Sequence, residues 1–397
     1  MEKNMWKEKV ITLRRNLHEN PELSEQEFET SKLVQKTLEQ AGIPFQTGFA
    51  KTGVLGIIEG GKPGGTIALR ADMDALPITE KTEIDFQSKN AGVMHACGHD
   101  AHTAMLLGTA LRLNAEKSSL PGRVLLVFQP AEENSPVGGS GPMLEDGVFD
   151  EFKPDVIFGQ HVWPNLKIGQ IGIRDKEMMG ASDSFRMIIK GEGGHASMPH
   201  EGKDAIVIAA EFISAVQTII SRNTDPLEAA VITVGTISGG YRYNVIADEV
   251  KLEGTVRTYK KEIKELVKRR LVQLIEGFEI AYGISIEYVY TNGYEATVNT
   301  PEWATFVRSR VVNMLGKDAA PTVNASLGGE DFSRFLNEIP GAFFWLGCAR
   351  EGVEVQRPLH DAEFYLNEDC LEIGVDLMMD VAVQALRKLE KGGCSDQ

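Results

Sequence analysis

Met94-His95-Ala96-Cys97-Gly98-His99-Asp100-Ala101-His102 packs three histidines and one cysteine into a short stretch. A thiolate and an imidazole together suit zinc and other late divalent metals. In an extended segment, residues two apart project to one face, so Cys97 and His99 can reach the same ion. The Asp-Ala-His that follows opens a helix, with Asp100 as its expected N-cap. One cysteine or one histidine is usually a packing residue. This density, spaced by glycine, favours a metal.

Asp72-Met73-Asp74 closes a strongly apolar run, with both carboxylates on one face. Charges at the carboxyl end of a buried strand are costly unless paired, and that end is where α/β sheets place their sites. Glu132 and Glu133 follow RVLLVF in the same way, and His161 follows DVIFG. Three apolar strands that end in acid or imidazole groups make a site. Adjacent Glu132 and Glu133 diverge, so one suits a metal and the other suits holding and deprotonating water. A semi-buried pocket beside another carboxylate would raise the pKa of such a base. His360, in Pro358-Leu359-His360-Asp361, is a candidate for a last ligand, and Gly328-Gly329-Glu330-Asp331 is a second polar loop. His195 lies among small residues in Gly193-Gly194-His195-Ala196-Ser197. Asn244 and Arg257 stand near the two ends of one expected strand and would suit an oxyanion and a substrate carboxylate.

These residues need a scaffold. Continuous Val/Ile/Leu runs at 54–60, 66–77, 123–133 and 155–162 alternate with helical patterns, among them 5–43, punctuated near Pro21, and 101–116. That predicts an α/β layer with a buried, mostly parallel sheet flanked by helices. The glycines of 60–65 join two strands without the Gly-Lys-Ser/Thr ending of a phosphate loop, which predicts a hairpin turn. From about Gly180 the order is strand–helix–strand–strand–helix–strand, the split βαβ or ferredoxin-like α+β pattern. The α/β texture then resumes, with a helix at 301–315, a strand at 342–347 and a helix at 367–390. The expectation is a catalytic metal-binding domain over 1–180 and 296–397, with a lid and dimerisation domain inserted over 181–295. The insert's first helix carries Ile206, Ala209, Ala210, Ile213, Val216, Ile219 and Ile220, apolar on more than one face. Its own sheet can cover one side, and a homodimer partner could cover the other.

Composition narrows the classes. A chain of 397 residues is long for one core. Its net charge of −16 argues against nucleic acid or an anionic membrane as partner. The charged N-terminus lacks the apolar run of a signal peptide, and no stretch is expected to approach the roughly 20 apolar residues of a membrane span. Four scattered cysteines without a Cys-x-x-Cys pair point to a reducing cytoplasm. Cys370 and Cys394 are expected to have no chemical role.

The set RADMDALP, MHACGHDAHTAMLLG, FQPAEE, GGHAS and LHDAEF resembles the M20 metallopeptidase family. More narrowly it is similar to the amidohydrolase branch, with hippurate hydrolase, N-acyl-amino-acid amidohydrolases and plant auxin-conjugate hydrolases. The resemblance runs from about residue 10 to 390 with its motifs in order. It implies two divalent ions per subunit (Zn, Mn, Co or Ni) held by Cys97, His99, Glu133, His161 and His360, with Cys97 as the bridge that is an aspartate in the wider family. It implies Glu132 as general base and Asp74 as the aspartate that orients a ligand. Asp72 departs from the wider family, which often has a metal-binding histidine there. His195, from this subunit or its neighbour, would stabilise the oxyanion, Asn244 and Arg257 would hold the substrate's carboxylate end, and Glu330 would line the pocket. The implied reaction is hydrolysis of an N-acyl (acetyl, benzoyl or similar) amino acid. A dipeptidase or carboxypeptidase on the same site is the alternative. A non-catalytic binding protein would lack a ligand or the base, and here all are present.

Overall fold

The computed structural model describes residues 2–392, so Cys394 lies outside the described residues. The chain forms two compact units, one of Met1–Met178, Thr297–Asn324 and Asp331–Gln397, the other of Met179–Ala296 and Ala325–Glu330. In chain order the first stretch holds α1 (Glu2–Glu19), α2 (Phe28–Gln40), β1 (Phe45–Phe49), β2 (Gly53–Glu59) and β3 (Lys62–Asp72). There follow α3 (His99–Ala115), β4 (Pro121–Gln129), β5 (Val156–Trp163) and β6 (Ile171–Gly172). The second unit contributes β7 (Ala181–Lys190), α4 (Ala205–Thr218), β8 (Ala230–Gly239), β9 (Glu249–Thr258), α5 (Lys261–Tyr282) and β10 (Ser285–Tyr294). The first unit then closes with α6 (Pro301–Leu315), β11 (Gly341–Gly347) and α7 (Asp369–Gly392).

The first unit is built on a seven-stranded sheet in the order β1-β2-β4-β3-β5-β11-β6. Its centre, β4-β3-β5-β11, is parallel; β1, β2 and β6 join antiparallel at the flanks. β11 is buried throughout and β5 up to its last residue, because helices cover both faces; this is why these strands are unbroken apolar runs. α3 and α7 pack against β3, and α1 lies against α3. Parallel neighbours end on the same sheet edge, so Asp72, Gln129 and Trp163 close β3, β4 and β5 together.

Two local expectations are corrected. The single helix of 5–43 is two helices: Pro21 and the left-handed Glu25 (φ 66°) interrupt it over 20–27. The 60–65 glycines do not form a hairpin, because β4 lies between β2 and β3. They instead let backbones meet: a Cβ on Gly61 would come within 2.3 Å of the Ser118 carbonyl, and one on Gly122 within 2.0 Å of the Gly65 carbonyl.

In the second unit the strand order is β8-β9-β7-β10, all antiparallel, with α4 and α5 packed on one face. This is the ferredoxin-like arrangement. Asp204 caps α4 by accepting from the Ile206 N–H at 3.0 Å. Ile208, Ala209, Phe212 and Val216 enter the core, whereas Ile206 and Val207 stay exposed. Contrary to expectation, Ala205–Asn223 is long and apolar enough to cross a membrane by length and composition. A third of it is buried, as a stripe against β7, β9 and α5. β8 is an edge strand with Val231 and Ile237 exposed.

Candidate metal centre

His99 is the first residue of α3, and Gly98 before it is left-handed at φ 84°. A Cβ at Gly98 would come within 2.4 Å of the Val162 side chain, so glycine is required twice over. This turn, rather than an extended segment, brings Cys97 and His99 together. Asp100 is not the N-cap; it sits in the first turn, where its carboxylate accepts from Arg14 Nε and bonds His18 Nδ1, each at 2.8 Å.

His99 and His161 each have one ring nitrogen fixed from behind. His99 Nδ1 lies 2.9 Å from the Asp74 carbonyl and 3.2 Å from Asp74 Oδ1, leaving a buried Nε2 without a hydrogen-bond partner. His161 Nδ1 donates to the Val162 carbonyl at 2.7 Å, so the lone pair of Nε2 faces Cys97 Sγ at 3.4 Å. Such backing selects the tautomer a metal ligand needs. His360 adopts φ 67°, its own N–H donates to the Ala96 carbonyl at 2.8 Å, and its Nε2 lies 3.2 Å from Glu133 Oε1.

The electrostatics favour a cation. Burial pushes the Cys97 thiol well up, and the charges of Glu133, Glu132 and Asp72 push it further. Burial works against a charged His99, yet Asp72 and Asp74 outweigh it and raise its pKa to about 10. Burial, then His102, holds His161 well below its usual value, as a neutral imidazole. A divalent ion would take the place of the proton on His99 and turn the Cys97 thiol into a thiolate. Among the described residues, Cys97, His99 and His161 form one group of donors, and Cys97, Glu133 and His360 another; within each group the donor atoms lie within 4.8 Å of one another. Cys97 is common to both. The buried His99 Nε2, which has no hydrogen-bond partner, and the Glu133–His360 pair, with the shared sulfur, fit a pair of ions.

Three successive amides fix the acidic turn after β4. Ala131, left-handed at φ 56°, donates to Glu27 Oε1 at 2.9 Å. Glu132 and Glu133 donate to Asp74 Oδ1 and Oδ2 at 3.1 and 2.9 Å. The two glutamate side chains therefore leave a single anchored backbone. Asp74 also accepts from Ser24 Oγ at 2.6 Å.

Sequence reading missed the groups behind this layer. Arg70 is fully buried and bonds Asp72 at 2.7 Å, Gln129 at 2.8 Å and Asp331 at 2.9 Å. Asp72 Oδ1 meets His102 Nδ1 at 2.6 Å, and His102 Nε2 accepts from the Val162 N–H at 2.9 Å. With both nitrogens spent, His102 braces the strand that carries His161. An arginine inside the apolar run IALRAD was the available signal, since a buried charge demands partners.

In the second unit, His195 pairs with Val245 across a short two-strand ladder, and the Ala196 N–H donates to the Asn244 carbonyl at 3.2 Å. His195 Nδ1 accepts from the Ser197 N–H at 3.2 Å and lies 2.7 Å from Ser197 Oγ, so Nε2 carries the proton. Asn244 Oδ1 is buried without a partner. Arg257 stands opposite Ser182 at the far end of β9, about 26 Å of strand from Glu249 and the ladder. Glu330 is buried and belongs to the 325–330 segment of this unit.

Residues 68–384 match the profile described as peptidase family M20/M25/M40. Among similar proteins, thermostable carboxypeptidase 2 of Saccharolobus solfataricus is 41% identical over 92% of each chain. An N-acetyl-L-cysteine deacetylase of Bacillus subtilis is 39% identical over 98% of this chain and 90% of its own. The crystal structure of Bacillus subtilis YXEP protein, a dinuclear metal-binding peptidase from the M20 family, superposes with a TM-score of 0.84 at 35% identity, over 97% of this chain and 99% of that one.

Proposed function

The chain belongs to the M20/M25/M40 peptidase family of hydrolases, and on that premise we propose that it cleaves the amide bond of N-acyl amino acids with two divalent ions. The observation that carries this reading is the pair of donor groups sharing Cys97, with Glu132 at their side. Cys97, His99, His161, Glu133 and His360 would hold the ions, whether zinc, manganese, cobalt or nickel. When bound, such ions polarise a carbonyl and lower the pKa of water.

The chain's own groups do the rest. Glu132 takes a proton from the attacking water and returns it to the leaving amine. Asp74 fixes His99 and both glutamate amides. The Nε2–H of His195 suits an oxyanion, while Asn244, Arg257 and Glu330 suit the rest of the substrate. Arg257 and the His195–Asn244 pair lie too far apart on one copy of the second unit to meet the same small amino acid. A homodimer that pools residues from two copies resolves this, and exposed Ile206, Val207, Val231 and Ile237 are suited to its interface. The buried free thiols Cys97, Cys348 and Cys370 fit a reducing cytoplasm.

Glu132→Gln tests the base: it should keep its metal while turnover of N-acetyl or N-benzoyl amino acids falls at least ~100-fold. Near-normal turnover would remove Glu132 from that role. The carboxypeptidase relative supports a second reading, peptide hydrolysis at the same centre. Trials of unblocked dipeptides and longer peptides against N-acyl amino acids separate the two.

A further inference from the structure

The segment between α1 and α2 supplies no candidate ligand or base, yet it holds a fully buried acid. Glu27 is 0% exposed. It stands at the N-cap of α2, but its side chain makes no cap bond there. Oε1 instead accepts from the Ala131 N–H at 2.9 Å and the Glu25 N–H at 3.0 Å, and Oε2 accepts from Thr52 Oγ1 at 2.8 Å. Ala131 holds a left-handed φ of 56°, a conformation that a residue with a Cβ keeps only when its surroundings impose it. Two neighbours act on the same turn. Ser24 bonds Asp74, which receives the next two amides, and Glu25 Oε1 accepts from Asn134 Nδ2 at 3.0 Å.

The cost of Glu27 argues for a purpose. Burial, then the nearby Asp74 charge, pushes its carboxyl up to about 7. An acid kept in such a place is compensated by what it holds, and its farthest partner is the residue before the two catalytic-turn glutamates.

We infer that Glu27 is a positioning residue: its carboxylate imposes the left-handed turn at Ala131 from which Glu132 and Glu133 bring their carboxylates together beside His99. This rests on the assignment of Glu132 as base in the preceding section. The role needs an acceptor, not a negative charge. A glutamine can still accept from Ala131, and the Thr52 hydroxyl can rotate to accept from the new amide.

The test compares Glu27→Ala with Glu27→Gln in the metal-loaded enzyme. In Glu27→Ala, kcat for an N-acetyl amino acid should fall at least ~10-fold, with KM within ~2-fold and both ions retained; Glu27→Gln should stay within ~3-fold of wild type in kcat. A purely structural acid would lower stability and leave that split alone. Amide hydrogen exchange over 131–134 needs no substrate; it should speed up at least ~10-fold in Glu27→Ala and stay protected in Glu27→Gln. Unchanged kcat in Glu27→Ala, an equal loss in Glu27→Gln, or unchanged exchange would overturn the inference. Should Glu27→Ala not fold, Thr52→Val removes one of Glu27's bonds and should lower kcat several-fold without moving KM; no change there overturns it equally. A wild type inactive on every N-acyl amino acid would sink the functional reading instead, and the exchange result would still decide Glu27.

Discussion

Cys97 is a thiol held among three carboxylates, where burial and neighbouring charge both oppose its ionisation. Only a cation makes a thiolate there favourable, which gives the residue a direct test. Cys97→Ser should bring metal content below two ions per chain by elemental analysis, because a serine hydroxyl does not ionise at neutral pH; content unchanged at two would remove it from the ligand set. Composition and spacing alone exposed Cys97, His99, Asp74 and the Glu132-Glu133 pair, because a run of chemically active side chains after an apolar strand has few other readings. Glu27 and Arg70 stayed hidden, and His102 and Asp331 stood in motifs that gave no sign of what they brace. They act through buried bonds to residues as far as 261 positions away, such as Arg70 to Asp331, and local spacing carries no trace of such pairs. The link between Cys97 and His99 was legible for the wrong reason: an extended segment was expected, and a left-handed glycine turn performs the task.

At the scale of elements, α1 is locked to the start of α3 by a buried ion cluster. Arg14 and His18 share Asp100, and His18 Nε2 lies 3.1 Å from Glu80. Burial works to raise the Asp100 carboxyl, but Arg14 and then His18 outweigh it and hold it far below its ordinary value. Burial and then the Arg14 charge oppose a charged His18, but the charge and bond of Asp100 and the Glu80 bond overcome them, so its pKa is raised. The signs differ. The carboxylate's contribution is present above about pH 4 and is lost as pH falls through the folded value; the histidine's is full below about pH 6.5 and is lost as pH rises through its own. Asp100→Asn, which leaves Arg14 and His18 poorly paired in the core, should cost about 3 kcal/mol at neutral pH and flatten the acid side of the stability profile. Thermal melts between pH 3 and 9 check this, and a variant as stable as wild type would show the cluster to be neutral. The strands of the parallel centre were legible because burial on both faces makes them unbroken apolar runs. The gap between α1 and α2 and the path of residues 60–65 were not. Turn residues show where a chain bends, not which strand it will lie beside.

For the whole molecule, the proposal that two copies complete one another makes a prediction no single-chain site shares. Glu132→Gln and His195→Ala homodimers should each be nearly inactive. Mixed and allowed to exchange subunits, they should recover about a quarter of wild-type activity, since one site of each mixed dimer regains both residues. No recovery, with exchange shown by mass, would place His195 in the same chain's site. Replacing the exposed Ile237 by lysine should weaken the same association, read as a fall in mass by light scattering. The central claim, hydrolysis of N-acyl amino acids by two ions that share Cys97, faces its most direct test in one titration. The chelated protein is given back a single divalent metal in steps while acid release from an N-acetyl amino acid is followed. Activity should be absent without metal and should rise to a plateau at two equivalents per chain. Full activity in the metal-free protein, or a plateau at one equivalent, would contradict it.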